Sequence, residues 1–258
     1  MVPGASVDDV APTPLTTAAE VLVATGHDPF ARGALRRSLL SGWTGGGATA
    51  WLGADTYEPV TYLTALGDPG AVGALIGDVL AELPHRQRVT VPRGTGARLP
   101  AWVGLQGTHW DFRWLPGAPP EQDGEERVVD VTADGPALEA LLDAASPRTS
   151  VRPGSPLVRR WLGVRDRDGA LLACAADTSA VTGVGHLSGI AVHPGARGQG
   201  LGKVVTAALA RRQFAEGCDV VTLGMYADND AGRALYDSLG FRDEHRCTSG
   251  PLEIRSRW

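Results

Sequence analysis

The stretch HPGARGQGLGKVV, residues 193–205, sets Arg197 and the glycines 198, 200 and 202 between an apolar run and a helical pattern that carries Lys203. Residues of these types at this spacing can hold a phosphate. Glycine lets the backbone approach a ligand closely, and the first N–H groups of a helix face outward, without intrahelical partners, at the positive end of its dipole. Three phosphate motifs can be tested by spacing. A Walker turn fails twice, because Arg197 stands where its first glycine belongs and Val204 where its hydroxyl belongs. A dinucleotide fingerprint needs G-x-G-x-x-G, whereas this chain has G-x-G-x-G; Asp228, at the end of the next strand, could imitate the ribose-binding acid and keeps that option open. The pattern R-x-x-G-x-G fits through Arg197, Gly200 and Gly202. The competing reading is a glycine-rich turn that only joins strand to helix.

The helix after the turn has an apolar stripe of Leu201, Val205, Ala208 and Leu209, which leaves Lys203 and Arg211 for solvent or outlying phosphates, and Gly217 ends it. Further on, Asn229 and Tyr236 are separated by nearly two helical turns and lie along one face, with Gly232 between them. That is a groove wall, or else a tyrosine covering a core edge and an asparagine capping its helix.

These residues need a scaffold of strands and helices. GATAWLGA and PVTYLTAL read as strands, followed by a helix with Val72, Leu75, Ile76, Val79, Leu80 and Leu83 on one face, then the strands QRVTV and HWDFRWL. PGAPPEQDGEE, residues 116–126, breaks the composition and reads as a linker between an N-terminal domain, 1–115, and a C-terminal one, 127–258. After it come RVVDVT, a helix opened by Asp134 and Pro136, the strands GALLACAA and GHLSGIAV, the glycine turn and its helix, the strand DVVTLGMYA, a helix from about Asn229 to Leu239, and a last strand. The class is mixed α/β. Both halves run strand, strand, helix, strand, but the N-terminal turn is GDPG, without the arginine or the glycine ladder. A degenerate internal repeat is therefore expected.

GIAVHPGARGQGLGKVV followed by NDAGRALYDSLGF resembles the GCN5-related N-acetyltransferase (GNAT) superfamily, in particular its FR47-like branch, over roughly residues 128–250. The resemblance implies a central mixed sheet flanked by helices, preceded here by a smaller, degenerate GNAT-like domain. It implies acetyl-CoA, or another acyl-CoA, as donor to a primary amine of a small molecule or peptide. Carried onto this chain, Arg197, Gly198, Gln199, Gly200, Leu201 and Gly202, with Lys203, would cradle the pyrophosphate. Ile190, Ala191 and Val192 would offer backbone groups to the pantetheine arm along a strand edge. Asn229, Gly232, Arg233 and Tyr236 would complete the cofactor groove.

Acetyl transfer needs a neutral amine, stabilisation of negative charge on the thioester oxygen, and a proton for the departing thiolate. Tyr236 is the candidate donor, since a phenol with an ordinary pKa near 10 is protonated at pH 7. Backbone N–H groups around Ile190–Val192 are the candidate dipoles for the oxygen. His186 and Ser188 alternate on one strand face, so the histidine could take the amine proton; a half-exposed strand histidine is the alternative. His193 reads as a turn residue, and Asp228 and Asp230 as solvated acids at a helix start. Trp110, Phe112 and Trp114 read as a core face or the wall of an acceptor pocket.

The bulk numbers narrow the classes. A net charge of −5 gives no basic face for nucleic acid, and no apolar run approaches the roughly 20 residues of a membrane span. MVPGASVDDVAPTPL lacks the features of a signal peptide and reads as a flexible lead-in. Cys174, Cys218 and Cys247 have no metal-type spacing and are odd in number, which suggests reduced cytoplasmic thiols and no metal site. Two other classes stay open: an acyl-CoA-binding module without turnover, and, less favoured by the glycine spacing, a nicotinamide oxidoreductase.

Overall fold

The computed structural model describes residues 11–55, 60–84 and 87–254. In chain order its elements are β1 (Thr13–Leu15), α1 (Ala18–Ala24), α2 (Pro29–Ala34), β2 (Ser38–Gly45), β3 (Ala48–Ala54), β4 (Thr61–Leu66), α3 (Pro69–Val79), β5 (Gln87–Pro92), β6 (Val103–Leu105) and β7 (Thr108–Leu115). There follow β8 (Val129–Asp130), α4 (Gly135–Ala145), β9 (Arg160–Arg165), β10 (Leu171–Asp177), β11 (Val184–Val192), α5 (Leu201–Ala215), β12 (Val220–Tyr226), α6 (Asp230–Ser238) and β13 (Arg242–Ile254). The class is mixed α/β, as the pattern of elements suggests. Of the expected lead-in, residues 1–10 lie outside the described residues, whereas Thr13–Leu15 form an edge strand paired with β2.

Two compact units share the chain: Met1–Trp110 with His245–Trp258, and Asp111–Glu244. The composition break at 116–126 does not separate them, because that segment is docked inside the second unit. Arg211 of α5 donates to the Pro119 carbonyl at 3.2 Å and ion-pairs with Glu121 and Glu125 at 3.6 and 3.4 Å. Arg211 is thus held by the supposed linker and is not free for phosphate.

The first unit orders its strands β1-β2-β3-β4-β5-β13, with β6 on β13. Strands β2, β3 and β4 pair antiparallel, whereas β4 and β5 are parallel and therefore need the crossover that α3 supplies. Val72, Leu75, Ile76 and Val79 of α3 are buried, and the stripe continues through Leu80 and Leu83. Each such side chain contributes about 1.5–3 kcal/mol of burial. The carboxylate of Asp68 caps α3, accepting from the N–H groups of Gly70 at 2.8 Å and Ala71 at 3.4 Å.

The second unit orders its strands β7-β12-β11-β10-β9-β8. Its pairing repeats the sub-order of the first: β9, β10 and β11 antiparallel, then β11 parallel to β12 across α5. One face of this sheet packs on α5 through Ala173, Ala175, Leu187 and Val221, and the other on α4 through Trp161, Cys174, Ala176 and Ala191. The helix α5 is buried more widely than a single stripe, with Val204, Thr206, Ala207, Ala210 and Gln213 also enclosed. Strand β8 is shorter than RVVDVT suggests, because Thr132 N–H turns back to the Asp130 carboxylate at 2.9 Å. Strand β9, missed by periodicity, is buried on both faces between Arg160 and Arg165.

Candidate functional site

The site is built around a gap between two parallel strands. The β11–β12 ladder runs from Val184↔Val220 to Leu187↔Leu223 and ends there, although β11 continues to Val192 and β12 to Tyr226. A bulge separates them. Opposite β10, the register passes from Cys174↔Ala191 to Ala176↔Ser188, so β11 carries one extra residue around Gly189 and Ile190. Gly189 has φ +56°, its carbonyl accepts from the Cys174 thiol at 3.5 Å, and the Trp161 ring fills the space where a side chain would be. Beyond Leu187 the β12-facing edge of β11, through Ile190, Ala191 and Val192, has no strand partner among the described residues. An unpaired edge of this kind can bond an extended amide-bearing chain.

At the end of β11, His193 caps a short 3-10 turn, its Nδ1 accepting from Gly195 N–H at 3.2 Å. Arg197, Gly198, Gln199 and Gly200 follow, all exposed. Gly198 and Gly200 adopt φ of +78° and +76°, and a β-carbon on either would meet nothing within 4 Å. Gly200 then opens α5 without any side-chain cap and with no acid in the first turn. The contrast with the other α-helices is informative: Thr17, Asp28, Asp68, Asp134 and Asn229 each cap theirs. The early N–H groups of α5, from Leu201 to Lys203, are left for a ligand, and the glycine turn leaves the approach open. Arg197, whose guanidinium donates to the Ala145 carbonyl at 3.4 Å, and Lys203 add positive charge. An anion fits this cradle.

Gly202 serves a different purpose. A β-carbon there would stand 2.9 Å from Leu235 Cδ1 and 3.2 Å from Val192 Cγ2, so its small size lets α5 close on α6 and β11.

Helix α6 begins after Asn229, and the outcome there favours the capping alternative. Asn229 Oδ1 accepts from Gly232 N–H at 2.9 Å, and a β-carbon on Gly232 would collide with the same amide. Asn229 and Gly232 therefore complete one helix cap. Arg233, expected in the cofactor groove, ion-pairs with Asp111 and, at 3.6 Å, with Asp243. Tyr236 is 6% exposed among Val205, Leu239 and Phe241, its ring meeting that of Phe241 edge-on at 5.6 Å. Burial pushes its phenol up to about 12, against a smaller opposing effect of the Arg113 charge. Its hydroxyl has no hydrogen-bond partner among the described residues.

His186 and Ser188 each hold a hydroxyl partner. His186 Nδ1 lies 2.8 Å from Thr222 Oγ1 across the last part of the ladder, and Ser188 Oγ lies 2.8 Å from Thr178 Oγ1. Asp228 is engaged by Arg148 through two hydrogen bonds of 3.0 and 3.1 Å, which hold its carboxyl below the usual range. Phe112 is buried, Trp110 donates to Ser249 Oγ at 2.7 Å, and Trp114 lies under Arg242.

Sequence reasoning missed Gly189, Cys174 and Trp161, which shape the bulge, and Asp111 and Arg113, which hold α6. A lone glycine inside an apolar strand was one available signal. Charges alternating with the aromatics of HWDFRWL were another.

Comparison with known proteins places these features in context. Residues 137–241 match the acetyltransferase (GNAT) family. The chain is 28% identical over 176 residues to a mycothiol acetyltransferase of Beutenbergia cavernae, covering 68% of this chain and 52% of that protein. It is 38% identical over 77 residues to one of Streptomyces avermitilis, covering 30% and 25%. The chain thus matches about half the length of the first relative and a quarter of the second. Among solved structures, a Drosophila protein superposes with a TM-score of 0.60 at 16% identity, covering 95% of this chain and 98% of that one. A GCN5-related N-acetyltransferase from Kribbella flavida gives 0.55 at 18% identity, covering 90% and 95%. These two likenesses concern the fold.

Proposed function

We propose, from the match of residues 137–241 to the acetyltransferase (GNAT) family, that the chain transfers an acetyl group from acetyl-CoA to a primary amine of a small molecule or peptide. The observation that carries this reading is the uncapped N-terminus of α5 behind the left-handed glycines 198 and 200, beside the unpaired edge of β11. In this reading Arg197–Lys203 bind the pyrophosphate, and the β11 edge aligns the pantetheine amides. When bound, acetyl-CoA supplies the thioester whose acyl group moves.

The protein's part is placement and proton handling. Backbone N–H groups at Ile190–Val192 stabilise negative charge on the thioester oxygen. The hydroxyl of Tyr236 gives its proton to the departing sulfur. With its phenol pushed up to about 12, Tyr236 keeps that proton throughout the neutral range. His186, tied to Thr222, is the candidate to receive the amine proton, with Ser188 beside it on Thr178. The FR47-like assignment, a degenerate N-terminal repeat and a cytoplasmic setting belong to the same reading; the last is supported by three cysteines that are not joined in disulfides. Among the described residues no helix is long and apolar enough to cross a membrane.

Thermal unfolding with acetyl-CoA, CoA and NADH tests the ligand. Acetyl-CoA at about 100 times its dissociation constant should stabilise by roughly 2.7 kcal/mol, and NADH should not. An amine panel, including the acceptor of the mycothiol acetyltransferases, then follows release of free thiol. Binding without thiol release from any amine would favour a non-catalytic acyl-CoA module.

A further inference from the structure

Strand β7 sends two charged side chains, Asp111 and Arg113, to the α6 side, and both are almost wholly buried at 2% exposure. A buried charge is costly unless it is paired and hydrogen-bonded. Both amino groups of the Arg113 guanidinium are hydrogen-bonded, and its Nε faces a carboxylate at ion-pair distance without a hydrogen bond among the described residues. One amino group donates to the Arg233 carbonyl at 3.2 Å; the other donates to the Asp237 carboxylate and, at 3.1 Å, to the Phe241 carbonyl; Nε lies 2.8 Å from Asp243 Oδ1. These partners surround Tyr236 along the chain. Arg233 precedes it by one helical turn, Asp237 follows it directly, and Phe241 carries the ring against which the phenol packs.

We propose that Arg113 is a positioning residue for Tyr236: its buried guanidinium clamps the last turn of α6 and the Phe241 backbone to β7, fixing where the phenol hydroxyl points. The inference rests on the proton-donor reading of Tyr236 given above. Planarity matters here, because two carbonyls and two carboxylates at set directions suit a guanidinium fork and not a single ammonium. The same charge also opposes the effect of burial on the phenol. The other charges around this turn, Asp111, Arg233, Asp237 and Asp243, are bound in the same network, so loss of Arg113 is not made good by a neighbour.

The test compares Arg113→Met and Arg113→Lys with Tyr236→Phe and with Leu142→Ala, a core variant from α4 that matches a loss of stability without touching this network. Ionisation of Tyr236 is read in the free full-length protein as the tyrosinate absorbance lost in the Tyr236→Phe difference. Arg113→Met should raise that ionisation further, because the opposing positive charge is lost. It should also lower kcat about 10- to 100-fold with KM for acetyl-CoA nearly unchanged. Arg113→Lys keeps the charge and should titrate near wild type, yet recover only part of kcat. Leu142→Ala should lower Tm alone. Should Arg113→Met not fold, a wild-type kcat in Arg113→Lys still overturns the proposal, as does wild-type titration in Arg113→Met. Wild-type turnover by Tyr236→Phe would instead refute the proton-donor reading, while the titration shift would still report the coupling of Arg113 to the phenol.

Discussion

The Trp161 ring lies where a side chain at residue 189 would stand: a β-carbon on Gly189 would come within 2.7 Å of Trp161 Cη2 and 2.9 Å of Cζ3. Residue 189 also has φ +56°, which non-glycine residues adopt at a cost of about 1–2 kcal/mol. The tryptophan is 1% exposed and cannot step aside into solvent. The bulge that parts β11 from β12 therefore depends on this glycine and this ring together.

Gly189→Ala should accordingly cost about 2–4 kcal/mol of stability through overpacking and backbone strain. If the bulge shapes the cofactor edge, affinity for acetyl-CoA falls in the folded fraction as well. Chemical denaturation and calorimetry read the two effects separately; an unchanged midpoint would contradict the packing argument.

Gly200 and Gly202 should respond to substitution in opposite ways. Gly200 faces open space in a left-handed turn, so Gly200→Val should weaken CoA binding strongly while costing only about 1–2 kcal/mol of strain. Gly202 is helical but pressed by Leu235 and Val192, so Gly202→Val should destabilise mainly by overpacking, about 1–3 kcal/mol. Equal CoA affinity for wild type and Gly200→Val would make the turn a connector only.

Tyr236→Phe keeps the ring packed on Phe241 and removes only the hydroxyl. Turnover should fall about 10²- to 10⁴-fold with acetyl-CoA affinity nearly unchanged. Asn229→Ala should behave differently, losing about 1 kcal/mol of stability as a helix cap while kcat per folded molecule holds. Kinetics beside direct CoA titration distinguish the two; a kcat loss in Asn229→Ala at full stability would return that residue to the groove.

The same phenol predicts a response to alkali. Tyr236, raised to about 12, and Cys174, also raised to about 12 by burial, bind their protons more tightly in the native state than in the unfolded chain. Their contribution is fully present below the unfolded values near 10 and 9 and is lost as pH rises through about 12. For Tyr236 the loss is on the order of 3 kcal/mol. Urea midpoints between about pH 9 and 12 should fall less steeply in Tyr236→Phe than in wild type. Parallel slopes would mean that the phenol ionises freely in the native protein.

The first unit should hold no CoA of its own, although its β4–α3–β5 connection repeats that of β11–α5–β12. Where α5 leaves its first N–H groups open, α3 has them occupied by the Asp68 carboxylate, and a second anion would meet like charge. Calorimetry should give one equivalent of CoA per chain. Two equivalents, one of them abolished by an Asp68 variant, would reverse this conclusion.

Much of the local structure in both units was legible from local rules alone. The glycine turn, the length of α6 from its Asn229 cap to Leu239, the α3 stripe and the strand–strand–helix–strand order depend on residues within a few positions of one another, where backbone sterics and helical or pleated periodicity decide. What tertiary structure decided depends on groups far apart in the chain. Arg211 was taken up by Pro119, Glu121 and Glu125, and Arg233 by Asp111, because a cation near an acid is engaged by whatever the fold brings within reach. The wedge between β11 and β12 needed Trp161 and Cys174 from neighbouring strands, and the setting of Tyr236 needed Arg113 from β7. Residue types and spacing could therefore identify a phosphate cradle. Only long-range packing, which determines which backbone edge stays unpaired and which charges are already satisfied, could define the cleft beside it.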